Sequence, residues 1–135
     1  MSSSPVIVCL PTADRRTSFE FYRSALGFEP IGELADDGVP EPLQFAVNDG
    51  MRIMLIPTGG FGWITGEHEV APAGSSECVI SLSARDDAAV DEMLERARRA
   101  GATIVTEPGQ QGWGYAGAFA DPDGHLWMIT EVGLG

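Results

Sequence analysis

The residue types that could do chemistry are few in this chain, which has two cysteines and two histidines. Imidazoles, thiolates and carboxylates are the protein groups that bind zinc, nickel, iron or manganese. The candidate donors are Cys9, Glu77, His68, His125 and Glu131. A cysteine is a nucleophile only as its thiolate, and no histidine lies near Cys9 in the sequence. A structural role for Cys9 is therefore favoured.

An acidic pair, Asp121 and Asp123, lies close to His125. Carboxylates suit calcium, but the spacing of an EF-hand loop is missing. The run Asp-Pro-Asp-Gly is typical of a tight turn, so His125 is expected at the end of a hairpin. His68, between two glutamates, is expected on a solvated loop. The sequence has no Ser-His-Asp arrangement, no phosphate-binding glycine loop and no dinucleotide-binding fingerprint.

Composition narrows the class of protein and of partner. The length of 135 residues suits one domain. Acidic residues number 20 against 8 basic ones, and every basic residue is an arginine. The net charge of -12 disfavours nucleic acid and membrane partners, and Schiff-base chemistry through lysine is excluded. The N-terminus lacks the pattern of a signal peptide, and two cysteines are too few for a disulfide scaffold. These features predict a cytoplasmic protein.

The elements that must position the candidate residues occur twice in the chain. The first copy is predicted to contain a strand at residues 6–10, a helix ending at Gly27, strands at residues 28–33 and 43–47, and a hairpin into residues 51–56. The second copy is predicted to contain a strand at residues 78–82, a helix ending at Gly101, strands at residues 102–105 and 114–120, and a hairpin into residues 125–131.

Three landmarks fix the register of the repeat, with shifts of 72 residues for the first pair and 74 for the other two: Asp14 and Asp86, Gly27 and Gly101, Gly50 and Gly124. We expect one α+β domain over residues 1–135, with repeat one at about 5–57, a connector at about 58–76 and repeat two at about 77–132. The predicted architecture is two tandem βαβββ repeats that form a cupped, barrel-like mixed sheet around a cavity, with two outer helices.

Two segments resemble a known superfamily. The helix and turn Phe-Tyr-Arg-Ser-Ala-Leu-Gly-Phe at residues 21–28, and the hairpin from Gly117 to Trp127, are similar to those of the glyoxalase/bleomycin-resistance/extradiol-dioxygenase (vicinal oxygen chelate) superfamily. The hairpin most resembles the subgroup related to lactoylglutathione lyase. Both segments indicate the fold rather than an activity. The resemblance also implies a homodimer.

Metal-dependent members of this superfamily draw His and Glu ligands from the first and last strands of each repeat. The resemblance places those positions at Ile7, Met54, Val79 and Met128, which are all apolar. Aliphatic side chains offer no donor, and a thioether suits soft ions such as Cu(I). We therefore predict no metal and no other cofactor at the usual site.

Strand alternation predicts what would line the cavity instead, because side chains of one strand alternate between the two faces. The residues expected on the inner face are mostly apolar and suit an apolar or aromatic small molecule: Ile7, Cys9, Met54, Ile56, Val79, Ser81, Met128 and Thr130. Trp113 and Tyr115, in a glycine-rich stretch, are also predicted to contact the ligand, whereas Trp63 could serve equally in packing.

Three hypotheses about function follow. The first is a metal-free protein that binds a small molecule, as in the antibiotic-resistance branch of the superfamily. The second is a metal-dependent lyase or dioxygenase with its ligands displaced to Cys9, Glu77, His125 or the loop of His68. The third is a non-catalytic interaction module without a ligand. The residues favour the first, and they do not name its ligand.

Overall fold

The computed structural model describes residues 4–66 and 68–131. The elements follow the chain as β1 (Val6–Thr12), α1 (Arg15–Ala25), β2 (Glu29–Ile31), β3 (Leu43–Asn48), β4 (Met51–Pro57), α2 (Thr58–Thr65), β5 (Val79–Ala84), α3 (Asp87–Arg99), β6 (Thr103–Gln111), β7 (Gly114–Ala120) and β8 (Leu126–Glu131). Apart from α2, this is the predicted βαβββ order, twice. The α+β class and the tandem repeat are confirmed.

In the part of the chain that the structure describes, the strands form two separate four-stranded sheets, ordered β1-β4-β3-β2 and β5-β8-β7-β6. In each sheet the first and last strands of the repeat are parallel neighbours, and the other pairs are antiparallel. Cys9 is paired with Met54 in the first sheet, and Ser81 with Met128 in the second. These pairs keep the shifts of 72 and 74 residues, so the repeat seen in the sequence is also a repeat of strand register.

The first unit is built from β1, most of α1, β2 to β4 and α2. Aromatic side chains pack α1 on one face of its sheet: the ring centroids of Phe19 and Tyr22 lie 6.3 Å and 5.7 Å from that of Phe45. Ile53, paired with Phe45, is completely buried on the same face. Asp14 caps the helix by accepting a hydrogen bond from the backbone N–H of Arg16 at 3.0 Å.

The second unit contains α3 and β5 to β8, together with residues 24–26. Asp86 caps α3 by accepting a hydrogen bond from the backbone N–H of Ala89 at 2.8 Å. The side chains of Val90, Leu94 and Ala97 lie at helical spacing on α3 and are buried. Gly117 of β7 allows α3 to approach closely, because a Cβ atom there would lie 3.0 Å from Cγ of Leu94. These contacts define the core of this unit.

The predicted connector at residues 58–76 begins with a helix that the sequence pattern did not indicate. Thr58–Thr65 forms the helix α2, which contacts β4 and β1 and buries none of its own residues. Its three glycines lower helix propensity, which explains why the sequence pattern indicated a loop. The hydroxyl of Thr58 donates a hydrogen bond to the carbonyl of Thr12 at 3.0 Å, so α2 is tied to the end of β1.

Two predicted strands also differ in extent. β6 runs to Gln111, six residues beyond its predicted end, and passes two register irregularities on the way. β2 spans only Glu29–Ile31. No helix in the described residues is both long enough and apolar enough to cross a membrane.

Candidate functional site

Each sheet has one face packed on its helix and one face turned away from it. In the first sheet we name the face opposite α1 the first distal face. Because paired residues share a face and neighbours along a strand alternate, this face carries the residues that alternate with buried Phe45, Ile53 and Leu55. They are Ile7, Cys9, Pro11, Gln44, Ala46, Arg52, Met54 and Ile56.

The second distal face is defined in the same way as the face of the second sheet opposite α3. Gly117 lies against Leu94, and Phe119 and Trp127 are completely buried on the α3 side. The residues that alternate with them form the second distal face: Val79, Ser81, Ser83, Ala116, Ala118, Ala120, Leu126, Met128 and Thr130. Ala116 and Ala118 have short side chains, so few atoms project from the middle of this face beside Met128.

The four positions where the resemblance would place a metal all lie on these distal faces. They are Ile7, Met54, Val79 and Met128, and none carries an imidazole, carboxylate or thiolate. A hard or borderline divalent ion requires such donors. The residues present therefore do not fit the metal of the superfamily's metal-dependent members.

The displaced-ligand alternative finds little geometric support. Within the described residues, three potential ligands come together only at Asp121, Asp123 and His125, whose donor atoms lie within 4.8 Å of one another. Oδ1 of Asp121 already accepts hydrogen bonds from the backbone N–H groups of Asp123 and His125, at 2.9 Å and 2.8 Å. Cys9 and Glu77 belong to no such group of described residues. Turn chemistry explains the Asp121 cluster, as the sequence indicated.

The predicted lining residues have different accessibilities. On the distal faces, Ile7 is 43% exposed and Val79 is 51% exposed, and both are open to a ligand. Cys9, Met54, Ile56 and Met128 are half-buried, and Ser81 is exposed. Thr130 has the predicted orientation but is only 3% exposed, so it is closed to solvent.

The two aromatic candidates of the glycine-rich stretch occupy different places. Trp113 lies in the turn between β6 and β7 and is 52% exposed. Tyr115 lies on the α3 side of the sheet, where its hydroxyl donates a 2.6 Å hydrogen bond to Oδ1 of Asp91. This hydrogen bond is the main cause of the raised pKa of Tyr115. Tyr115 therefore does not share a face with Val79 and Met128. Trp63, on α2, is 91% exposed.

Two polar residues of the first distal face were missed by the sequence reasoning. Arg52 is half-buried and lies two residues before Met54, so alternation alone would have placed it on the same face. Gln44 is paired with Met54 across β3 and β4. Its Oε1 atom is buried and has no hydrogen-bond partner among the described residues. The first distal face thus combines an apolar wall with a cation and an unsatisfied acceptor.

Comparison with known proteins identifies the superfamily of this chain. The model of the Glyoxalase/Bleomycin resistance protein/Dioxygenase superfamily matches residues 5–129, and the chain belongs to this superfamily. Uncharacterised proteins of Mycobacterium bovis and Mycobacterium tuberculosis are each 31% identical to it over 122 residues. The alignments cover 87% of this chain and 76% and 68% of those proteins, respectively.

Solved structures show the same fold at low sequence identity. A glyoxalase-related enzyme from Fulvimarina pelagi has a TM-score of 0.79 at 23% identity, covering 97% of this chain and 88% of that one. A glyoxalase/bleomycin resistance protein/dioxygenase family enzyme from Burkholderia phytofirmans has a TM-score of 0.75 at 19% identity, covering 93% and 96%. Such identities support the fold and carry no substrate with them.

Proposed function

We propose that this chain is a binding protein of its superfamily that takes up an apolar or aromatic small molecule on the distal face of either sheet, without a divalent metal ion. The observation that carries this proposal is the identity of Ile7, Met54, Val79 and Met128. All four lie on the distal faces, and all four are apolar. Where the superfamily's metal-dependent members have metal ligands, this chain has aliphatic and thioether side chains, and such side chains suit contact with an apolar ligand.

The accessibility of these residues supports the same function. Ile7 and Val79 are among the exposed large hydrophobic side chains of the chain, and Met54 and Met128 are half-buried. Burial of such surface by a ligand releases water from apolar groups and is favourable by about 25 cal/mol per Å². The unbranched thioethers can adjust to ligands of different shape. A homodimer and a cytoplasmic location are further parts of this proposal, as is membership of the subgroup related to lactoylglutathione lyase.

The proposal is tested by fluorescence titration with N-phenyl-1-naphthylamine, a neutral aromatic probe that brightens in apolar surroundings. We expect saturable binding with micromolar affinity. The substitutions Met54→Gln and Met128→Gln keep the length of the side chain but make it polar. Each should weaken binding at its own distal face by about fivefold, because an apolar contact is replaced by an amide that must lose its water.

The matched control is Met93→Gln. Met93 is also half-buried, but it lies on α3, on the other side of the second sheet. The control should bind the probe like the wild type. Absence of saturable binding, or equal effects of all three substitutions, would overturn the proposal.

A further inference from the structure

The arginines of this chain differ in what they contact. Six of the eight have a partner in the described residues, either a carboxylate, a backbone carbonyl or an aromatic ring: Arg15, Arg16, Arg23, Arg85, Arg96 and Arg98. Among residues 4–66 and 68–131, no hydrogen bond or ion pair is formed by the side chain of Arg52 or Arg99. Arg99 is exposed in the last turn of α3, whereas Arg52 is half-buried in the middle of the first unit.

The surroundings of Arg52 are apolar. It lies on β4 between β1 and β3, paired with Ile7 on one side and Ala46 on the other. Met54 follows it on the same face. A guanidinium that is half-buried without a counter-charge loses hydration and gains nothing in return. An anion brought to this face would supply the missing partner, and a planar guanidinium can hold an oxyanion by two parallel hydrogen bonds.

Gln44 is a second polar residue of the first distal face, close to Arg52. Gln44 is paired with Met54, and Ala46 is paired with Arg52, so Gln44 and Arg52 are diagonal neighbours on the first distal face. Diagonal neighbours across antiparallel strands are about 7–8 Å apart or less, within reach of long side chains. Oε1 of Gln44 is buried without a donor among the described residues. Rotation of the Gln44 side chain toward the distal face would let this atom accept a hydrogen bond from an N–H or O–H group of a ligand.

We propose that Arg52 is the anion-binding residue of the first distal face, and that the ligand is an aromatic or apolar molecule carrying one anionic oxygen group. Gln44 accepts a hydrogen bond from a donor adjacent to that group. This inference rests on the proposed function and names the chemical class of its ligand. The net charge of -12 repels anions in general, so an anionic ligand needs a local cation of this kind.

The test uses two probes with the same aromatic skeleton and the same N–H group. N-phenyl-1-naphthylamine is neutral, and 8-anilinonaphthalene-1-sulfonate carries a sulfonate next to its N–H. The wild type should bind the sulfonate probe about tenfold more tightly than the neutral probe. Arg52→Met should abolish this preference without lowering the affinity for the neutral probe or the melting temperature, because it replaces an unpaired guanidinium by an apolar side chain. Arg52→Lys, which keeps the charge but not the planar fork, should retain part of the preference.

Arg99→Met is the matched control, because it removes the same charge from the other arginine without a partner. A shallow surface cavity of about 270 Å³ beside Arg99 is lined by Ser24, Arg96, Arg99 and Ala100, and it offers the sulfonate a competing site. If Arg99→Met removes the preference and Arg52→Met does not, the inference is wrong while the proposed function stands. Equal affinity of the wild type for the two probes would also contradict the inference and leave the proposed function in place. If neither probe binds, the proposed function fails, and the inference fails with it.

Discussion

Substitution of Gly117 by alanine tests the packing that holds the second distal face in place. Gly117 lies on the α3 side of β7, between Ala116 and Ala118 of the distal face. An alanine Cβ would lie 3.0 Å from Cγ and 3.2 Å from Cδ2 of Leu94, and 3.2 Å from Cα of Pro108. Such distances are shorter than ordinary carbon–carbon contacts. Leu94 is 1% exposed, and the new Cβ atom would approach the backbone of Pro108 rather than a flexible side chain. Neither neighbour can therefore move away freely.

The magnitude follows from two opposing effects. Overpacking a well-filled core costs about 1–3 kcal/mol. Replacing glycine by alanine restricts the unfolded chain and returns about 0.4–1 kcal/mol. We therefore expect Gly117→Ala to lower the free energy of unfolding by about 1–2 kcal/mol, or the melting temperature by about 3–8 °C for a domain of this size. Thermal and urea unfolding followed by circular dichroism measure both quantities.

Gly109→Ala is the control, since a Cβ atom at Gly109 of β6 would meet only the carbonyl of Glu107, at 4.0 Å. This variant should be neutral or slightly stabilised. In the Gly117→Ala background, Leu94→Ala should cost about 1–2 kcal/mol less than in the wild type, because it removes the crowded side chain. A Gly117→Ala protein as stable as the wild type would refute the close approach of α3 to β7.

Two further predictions concern pH and ligand contact. The backbone N–H of Val39 donates a hydrogen bond to the Asp37 carboxylate and is the largest cause of the lowered pKa of Asp37. The stability that the ionised carboxylate contributes is present above about pH 4 and is lost as the pH falls through the pKa of Asp37 in the folded state. Asp37→Asn should therefore flatten the acid limb of a melting-temperature series between about pH 4 and 2. Trp113→Ala should weaken binding of N-phenyl-1-naphthylamine about threefold by loss of an aromatic contact, whereas Tyr115→Ala should not. Equal losses would contradict the placement of Tyr115 on the α3 side.

Most of the fold could be predicted from the sequence because its signals are local. The capping aspartates Asp14 and Asp86 and the glycine of the Asp121–Gly124 turn, at φ +93°, act within a few residues of chain. Their recurrence at near-constant spacing revealed the repeat. α2 was missed because its sequence, Thr-Gly-Gly-Phe-Gly-Trp-Ile-Thr, has poor helix propensity and no polar-apolar stripe.

The candidate site was only partly predictable, for a different reason. Alternation along one strand is enough to predict that Ile7 and Cys9 share one face of β1, and the strand register pairs Cys9 with Met54 and Ser81 with Met128. The position of Gln44 depends on pairing across a hairpin, and the register between β3 and β4 shifts between Ala46 and Asn48. An irregularity of this kind cannot be counted from the sequence. The orientation of Tyr115 likewise depends on pairing between strands: β7 pairs with β8 so that Ala116 and Ala118 lie beside Thr130 and Met128, which turns Tyr115 to the α3 side.

The central claim, a superfamily member that binds its ligand without a metal, is tested most directly by elemental analysis. Untagged protein purified without chelator would be analysed for bound metal and then melted with nickel, zinc, manganese and iron(II). We predict no stoichiometric metal and no rise in melting temperature with any of the four ions. One equivalent of bound metal, together with stabilisation by that ion of about 2 kcal/mol or more, as expected for an ion near a hundredfold excess over its Kd, would contradict the account. The ligands of that ion would then have to be sought away from Ile7, Met54, Val79 and Met128.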